Sequence, residues 1–411
     1  MGAYGGTVET SKSPSGLHVK YGGGTGEPND PYLIYTAEQM NAIGTESNDW
    51  DKHFKLMADI DLSEYTGSEF NIIGSTYNNA FAGTFNGQGH SIRNFTFKDP
   101  SRSIIGLFGC ISKTSEITNI DLVDANVDGE NYVGLLVGYS NGGTVLNCSS
   151  TGNIQAEQYT GGLIGINMNS AKTLFCNAIA NVSGTSTTGG LVGANSHSDI
   201  SYCVASGVTS GTSTTGGITG RQDYGTVSNS FSDCVVSGKS NMIGGLVGRN
   251  NYSFISCCCS SGEVSGDTMV GGLVGFSDSD IINSYSNAKV TGVDNVGGLL
   301  GYNIYGNISY SYSANEVIGS INVGALLGYD EGTCHYTSCF WDADIQPSLP
   351  GISNATEPGL IGVTTQQMRK HETFTAAGWD FVDETANGTE DIWWMPENDY
   401  PRLWWELISE N

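Results

Sequence analysis

The chain has 411 residues, of which 58 are Gly and only 14% are charged, and its formal net charge is -26. This acidic balance excludes nucleic acid as a partner, because a nucleic-acid-binding surface needs a basic patch to replace the phosphate counterions. The sequence has no run of 18 apolar residues, so we expect no membrane-spanning helix in it.

Residues 1–26 are interpreted as a linker or as the tail of a preceding unit. They show neither the basic nor the apolar stretch of a secretory signal, so we expect Met1 to be an internal or chosen start and a signal peptide to lie upstream. Residues 27–103 are predicted to form an N-terminal cap and the first coils. Within them, "TAEQ" from Thr36 is a capping-box pattern, and Met40 and Ile43 are spaced to share one face of a short helix.

Residues 104–345 repeat a word of the form Gly-x-Leu-x-Gly. Its last Gly falls at positions 109, 138, 165, 193, 220, 248, 275, 301 and 328, a spacing of 26–29 residues. The residue two positions before this Gly is always Leu or Ile, and Val, Ile, Cys and Ser recur at steady offsets after it. Apolar and polar residues alternate over short runs that Gly, Ser and Asn interrupt. This pattern is typical of strands and predicts two to three strands per unit.

One unit of this length cannot bury its own apolar face, whereas stacked units can. The sequence therefore predicts an all-β fold, a parallel β-helix (solenoid) of about nine coils with short helical caps at both ends. We expect the right-handed form, because parallel crossovers have that hand. The repeated Leu would form a continuous column in the core, and the Gly beside it would let neighbouring backbones approach closely.

The word "GGLVG" at residues 189–193 and its copies resemble the GLUG-motif repeats of bacterial surface proteins. Such repeats also occur in non-catalytic parts of some IgA-cleaving metallopeptidases. The resemblance covers residues 104–345 through the motif, and "FAGTFNGQGHSI" and "YPRLWWE" resemble the flanking segments of such proteins more loosely. It implies a β-helical stalk or adhesion module, and it implies no reaction.

The ten Cys residues raise the question of disulfides or a metal site. Cys148, Cys176 and Cys203 occupy equivalent positions in successive units, and Ser230 takes the next one. Stacked parallel side chains have poor torsion angles for a disulfide, and Ser substitutes freely at the position. The pattern therefore favours a column of small core residues over a disulfide or a metal site.

A candidate ligand-binding surface lies in "DLVDANVDGE". By the repeat register Ala125 and Val127 point inward, so Asp124 and Asp128 share the outer face, and Glu157 follows on the next coil. This patch could bind Ca²⁺ or sugar hydroxyls, and the alternative is a solvated strand face. No metal site and no resident cofactor are predicted, with Ca²⁺ as the one alternative. No Lys or Arg that could serve as a lyase base is evident in this stretch.

Residues 346–411 break the period and are predicted to be a C-terminal capping segment. "TTQQMRKHETFTAAG" predicts a second short helix that ends at Gly378, and the five Trp beyond it are expected to cover the last coil. Before this segment, Tyr310 and Tyr312 are predicted to share a strand face by period two. A row of Tyr there is a candidate sugar-binding surface, and the alternative is ordinary sheet residues.

These features predict a non-catalytic extracellular repeat module of a larger cell-surface protein, acting as an adhesion or spacer stalk. Its expected partner is a polysaccharide or a surface protein. Two alternatives stay open: a β-helical polysaccharide lyase or hydrolase, and a carbohydrate-binding module. The sequence contains no His-Glu-x-x-His, and no nucleophile elbow or phosphate-binding loop occurs in the required context, so we assign no catalytic residue.

Overall fold

The computed structural model describes residues 20–332, 334–382 and 384–409. The interpretation of residues 1–19 as a linker or preceding unit therefore lies outside the described residues. Residues 20–26 pack onto the first strand, because the Gly22 N–H donates to the Leu33 carbonyl at 2.8 Å. Tyr21 is buried against the rings of Tyr32 and Phe54.

The repeats wind into a parallel β-solenoid of about eleven turns, which confirms the predicted fold class. The expectation of nine coils was too low because the strands Tyr32–Ile34 and His53–Leu56 begin turns before the coil that carries the first copy of the repeated word. A full turn contributes strands to four parallel sheets, rather than two or three. Many of these strands are only two to four residues long, so alternation along them leaves almost no periodic signal.

We number the sheets in the order in which residues 116–141 traverse them. Sheet 1 has twelve strands: Tyr32–Ile34, His53–Leu56, Thr84–Asn86, Glu116–Thr118, Thr144–Leu146, Lys172–Leu174, Asp199–Ser201, Thr226–Ser228, Phe254–Ser256, Ile281–Ile282, Ile308–Ser309 and Tyr336–Thr337. Sheet 2 has sixteen strands: Ile60–Asp61, Ser91–Arg93, Thr96–Lys98, Asp121–Asp128, Ser149–Ala156, Asn177–Gly184, Val204–Gly211, Phe231–Gly238, Cys259–Ser260, Glu263–Ser265, Tyr285–Ser286, Lys289–Thr291, Tyr312–Ser313, Val317–Ile318, Cys339–Asp342 and Leu360–Val363.

Sheet 3 has eight strands: Asn131–Gly134, Gln158–Gly161, Thr188–Gly189, Thr215–Gly216, Asn241–Gly244, Thr268–Gly271, Asp294–Gly297 and Ile321–Gly324. Sheet 4 has nine strands: Phe108–Ile111, Val137–Asn141, Ile164–Met168, Val192–Ser196, Thr219–Asp223, Val247–Asn251, Val274–Ser277, Leu300–Asn303 and Leu327–Asp330. A separate antiparallel pair joins Trp393–Trp394 to Arg402–Leu403.

The helices are short and lie near the two ends of the chain. They are Ala37–Thr45, the 3-10 turn Ser47–Asp49, Thr365–Met368, His371–Thr375 and Trp404–Ser409. The helix Ala37–Thr45 has the predicted N-cap, because the Thr36 side chain accepts the Gln39 N–H. Met40 and Ile43 share its buried face, as predicted. The single helix expected before Gly378 is instead two, because Lys370 is extended. Within the described ranges, none of the helices combines the length and apolar character needed to cross a bilayer.

The repeated word forms the corner between sheets 3 and 4. Its nine predicted Leu or Ile residues all have 0% exposure and stack in one column: Leu107, Leu136, Leu163, Leu191, Ile218, Leu246, Leu273, Leu299 and Leu326. The adjacent Gly is required by close backbone contact, since a Cβ on Gly245 would lie 2.0 Å from the carbonyl oxygen of Gly272 on the next coil. Seven of the nine copies place Gly at this crowded contact, and Leu135 and Ala325 take the position in the other two.

The predicted column of small residues lies at the corner between sheets 1 and 2. Its members are buried and no disulfide joins its cysteines: Cys148, Cys176, Cys203, Ser230, Cys258, Ser284, Ser311 and Cys339. Each side chain donates to the carbonyl two residues earlier, as Cys176 does to Leu174 at 3.2 Å and Ser230 to Ser228 at 2.7 Å. Ser and Cys interchange because both are small donors that satisfy the same carbonyl.

A buried polar ladder lies on the inner side of sheet 4, which the sequence analysis missed. Asn167 donates to Asn195 at 3.1 Å, and Asn195 donates to Gln222 at 2.8 Å and to the Ser198 carbonyl at 2.7 Å. These side chains are fully buried, and the hydrogen bonds between them replace part of those that water would make, since Asn167 Oδ1 and Gln222 Nε2 have no partner. Only the coil-to-coil register brings the amides together, which is why alternation along one strand does not reveal them.

Candidate functional site

The predicted acidic patch lies beside a shallow polar groove of about 330 Å³ on the outer face of sheet 2. Ala125 and Val127 are buried, so the inward register is as predicted. Asp128 lines the groove and lies in register with Gln155 on the next coil. Lys98, from the preceding coil, pairs in register with Asp128 and also lines the groove. The structure therefore places a cation beside this carboxylate, although none is near it in sequence.

The two other predicted carboxylates do not line this groove. Asp124 occupies an irregularity of its strand with φ of 54°, and its N–H donates to the Thr151 hydroxyl at 2.9 Å. Glu157 lies beyond the end of its strand, where its N–H donates to the Glu130 carbonyl at 2.8 Å. Across the described ranges, no three His, Cys, Asp or Glu side chains are grouped as ligands for a metal ion.

The predicted tyrosine row is not an exposed surface. Tyr310 lies at a corner with φ of 49° and is half-buried, whereas Tyr312 begins the next strand and is only 2% exposed. The Tyr312 hydroxyl donates to the Pro401 carbonyl at 2.7 Å, and its ring packs against the rings of Trp379 and Trp393, with centroids 6.3 and 6.1 Å away. Tyr310 and Tyr312 therefore do not share a strand face, and Tyr312 is not accessible to a ligand because the C-terminal segment covers it.

The first part of the C-terminal segment stacks on the last coil, where Leu360–Val363 pairs with Cys339–Asp342, and the rest lies along the side of the solenoid. We call residues 364–409 the strap. It covers an outward column of sheet 2 in which Cys259, Tyr285, Tyr312 and Phe340 pair in register on successive coils. The Trp405 indole donates to the Cys257 carbonyl at 2.8 Å, which places the strap's last helix several coils back from its beginning.

Hydrogen bonds to buried groups hold the strap in place. The Trp379 indole donates to the Ser338 carbonyl at 2.9 Å, and the Tyr400 hydroxyl donates to Asp342 at 2.6 Å. Burial, together with the hydrogen bond to Asp342, raises the pKa of Tyr400 to about 12. This hydroxyl is therefore protonated and able to donate at every physiological pH.

A second groove, lined by aromatic residues, lies on the outer face of sheet 4 and was not predicted. Tyr77, Tyr132, Tyr139 and Tyr159 form its walls, and it has a volume of about 270 Å³. Tyr132 and Tyr159 have positive φ within strands of sheet 3, a conformation in which Asn is the usual non-glycine residue. No sequence period indicated these positions, because Asn, Met and Tyr exchange there from coil to coil.

In a comparison with known proteins, one family model matches two stretches of this chain. The family model described as the GLUG motif matches residues 129–155 and 266–291, each of which spans about one coil. Halomucin of Haloquadratum walsbyi is 31% identical over 170 residues, which are 40% of this chain and 2% of halomucin. A protein of Evansella cellulosilytica described as a Gly-rich membrane protein is 33% identical over 135 residues, which are 31% of this chain and 15% of that protein.

The chain thus spans only a small part of the length of these relatives. Among solved structures, one described as an immunoglobulin A1 protease from Bacteroides ovatus aligns with a TM-score of 0.39 and 20% identity. That alignment covers 94% of this chain and 96% of the other.

Proposed function

We propose that this chain, a GLUG-repeat β-solenoid, is a non-catalytic extracellular module of a larger cell-surface protein and acts as a spacer or adhesion stalk. The observation that carries the proposal is the unbroken column from Leu107 to Leu326, in which every rung is fully buried. Backbone hydrogen bonds connect each coil to the next, as from the Leu246 N–H to the Leu273 carbonyl at 2.8 Å. Such a stack maintains a fixed spacing between its ends, which a spacer requires.

Two further observations support a surface role. One relative is named halomucin, and the other is described as a Gly-rich membrane protein. Each is far longer than this chain. The net charge of -26 favours solubility and self-repulsion, which suit a module that stands in solvent.

Location is tested by staining intact cells that produce the full-length protein with an antibody against this module. We expect labelling without permeabilisation, and labelling only after permeabilisation would contradict the proposal.

The spacer role predicts tolerance to removal of a whole coil. Gly216 pairs in register with Gly244, so deletion of residues 217–244 joins Gly216 to Gly245 without changing the register. The shortened chain is expected to fold and to be shorter by one strand spacing, about 4.8 Å. Deletion of residues 217–230 is the control, because it removes half a coil and breaks every column. Unfolding of both variants to the same degree would contradict independent stacking of coils.

One observation favours an enzyme as a second candidate function. Lys98 and Asp128 lie side by side in the polar groove, a cation and a carboxylate of the kind that a polysaccharide lyase or hydrolase uses. The test is incubation with neutral and acidic polysaccharides, with and without Ca²⁺, while reducing ends and unsaturated products are measured. We expect no turnover. Turnover that disappears in Lys98→Ala and Asp128→Ala, but persists in the exposed variant Asp267→Ala, would establish the enzyme instead.

A further inference from the structure

The aromatic groove on sheet 4 owes its depth to one small side chain. Tyr139, Ile166, Ala194 and Arg221 occupy the same outward column on four successive coils. Ile166 and Ala194 are 6% and 3% exposed and form an apolar floor. Because Ala194 is the smallest member, the column sinks between Ile166 and Arg221.

Four tyrosine rings make a firm wall beside this floor. Tyr132 and Tyr159 stack with centroids 5.0 Å apart and planes 2° apart. Tyr139 meets the edge of Tyr132 at 5.7 Å, and Tyr77 meets Tyr139 at 4.4 Å, both nearly perpendicular. The Tyr139 hydroxyl donates to the Met168 sulfur at 2.8 Å. The rings therefore support one another, and little conformational entropy remains to be lost when a ligand binds.

The far end of the groove is polar. Arg221 forms an ion pair with Asp223, whose side chain is only 8% exposed. Asn251 donates to the other carboxylate oxygen of Asp223 at 3.1 Å, which fixes its orientation. The groove thus offers cationic donors and an anionic acceptor side by side, next to apolar walls, and the pair carries no net charge.

We propose that this tyrosine groove binds an uncharged saccharide. The C–H faces of a sugar ring can pack against the tyrosine rings and the Ile166–Ala194 floor, while its hydroxyls bond to Arg221 and Asp223. An uncharged ligand is favoured over an acidic one because the ion pair is internally neutralised and the chain's charge of -26 repels polyanions. The site is separate from the polar groove of sheet 2, and the stalk role does not depend on it.

The test is titration of the full chain with short neutral oligosaccharides (gluco-, manno- and xylo-series) and with galacturonate oligomers. Ala194→Trp should fill the groove, and since this side chain points outward the fold should persist. We expect Ala194→Trp and Tyr159→Ala to weaken binding at least about tenfold. Tyr202→Ala is the matched control: Tyr202 has φ of 54°, as Tyr159 does, and stacks on Phe175 at 4.9 Å, but it lies away from the groove, between sheets 1 and 2. The affinity of Tyr202→Ala for the oligosaccharides should equal that of the unsubstituted chain.

Asp223→Asn is a second variant that keeps the shape of the groove, and it should also weaken binding. It takes the place of Ala194→Trp in the test if that variant fails to fold. The proposal is overturned if none of the neutral oligosaccharides binds, or if the groove variants bind as the control does. It is also overturned if galacturonate oligomers bind more tightly than the neutral series with an affinity that falls as salt rises, because the ligand would then be acidic. None of these outcomes bears on the stacking of coils or on the stalk role.

Discussion

Replacement of Leu246 by Ala tests which side chains face the core of the solenoid. Leu246 has 0% exposure and lies in the column between Ile218 and Leu273. Its N–H donates to the Leu273 carbonyl at 2.8 Å and its carbonyl accepts the Ile218 N–H at 2.8 Å. Ala keeps both backbone hydrogen bonds, so the variant removes only side-chain volume.

The expected loss follows from how little the site can relax. Substitutions of buried Leu by Ala cost about 2–5 kcal/mol, and the cost rises with the volume of the residual cavity. The neighbouring rungs are fixed about 4.8 Å away by the parallel ladder, so they cannot collapse into the space. We therefore expect a decrease in the free energy of unfolding in the upper half of that range.

The measurement is urea denaturation followed by circular dichroism, with Val235→Ala as the matched control. Val235 is also an apolar strand residue, but it points outward and is 44% exposed. Its truncation should change the free energy of unfolding by no more than about 0.5 kcal/mol. Equal destabilisation by the two variants would refute the assignment of inward and outward faces.

Three further predictions concern the strap, the polar ladder and the buried thiols. Trp393→Ala removes a fully buried ring that lies 4.5 Å from Trp379, and it should cost about 3–5 kcal/mol, with faster hydrogen exchange in residues 364–409 but not in the coils before residue 250. Asn195→Ala leaves Gln222 Oε1 without its donor and removes one hydrogen bond each from Asn167 and the Ser198 carbonyl, so urea denaturation should show a loss of about 1–3 kcal/mol. Burial raises the pKa of the Cys339 thiol to about 12, above its ordinary value of 9.0, so its contribution to stability is complete below pH 9 and is lost as pH rises toward 12. The denaturation midpoint should therefore fall over this range, and it should fall less in Cys339→Ser.

The core could be predicted from the sequence because each inward position repeats once per coil. The Leu column and the small-residue column both follow from counting, and so does the inward direction of Ala125 and Val127. Nine aligned copies average out the exceptions, such as Ile218 in place of Leu. The cap helix was equally accessible, since its signal is local to residues 36–43.

The surface features could not be predicted because they depend on which coils become neighbours. Lys98 meets Asp128 through the register between two successive coils, 30 residues apart in sequence. Within the strap, Glu406 accepts a hydrogen bond from the Tyr285 hydroxyl, which is 121 residues earlier in sequence. The tyrosine groove combines Tyr77, from before the repeats, with three rings from two later coils. Alternation along one strand carries no information about any of these pairings.

The most direct test of the account is the distance between equivalent residues on different coils. Asn153, Val235, Glu263 and Lys289 are exposed and lie in one outward column of sheet 2, connected by successive parallel pairings. Spin labels are introduced at these sites as unnatural amino acids, which avoids the native thiols, and pair distances are measured by electron paramagnetic resonance. From residue 153, the account predicts about 14 Å to residue 235, about 19 Å to residue 263 and about 24 Å to residue 289. Distances that do not rise by about one strand spacing per coil would contradict in-register parallel stacking.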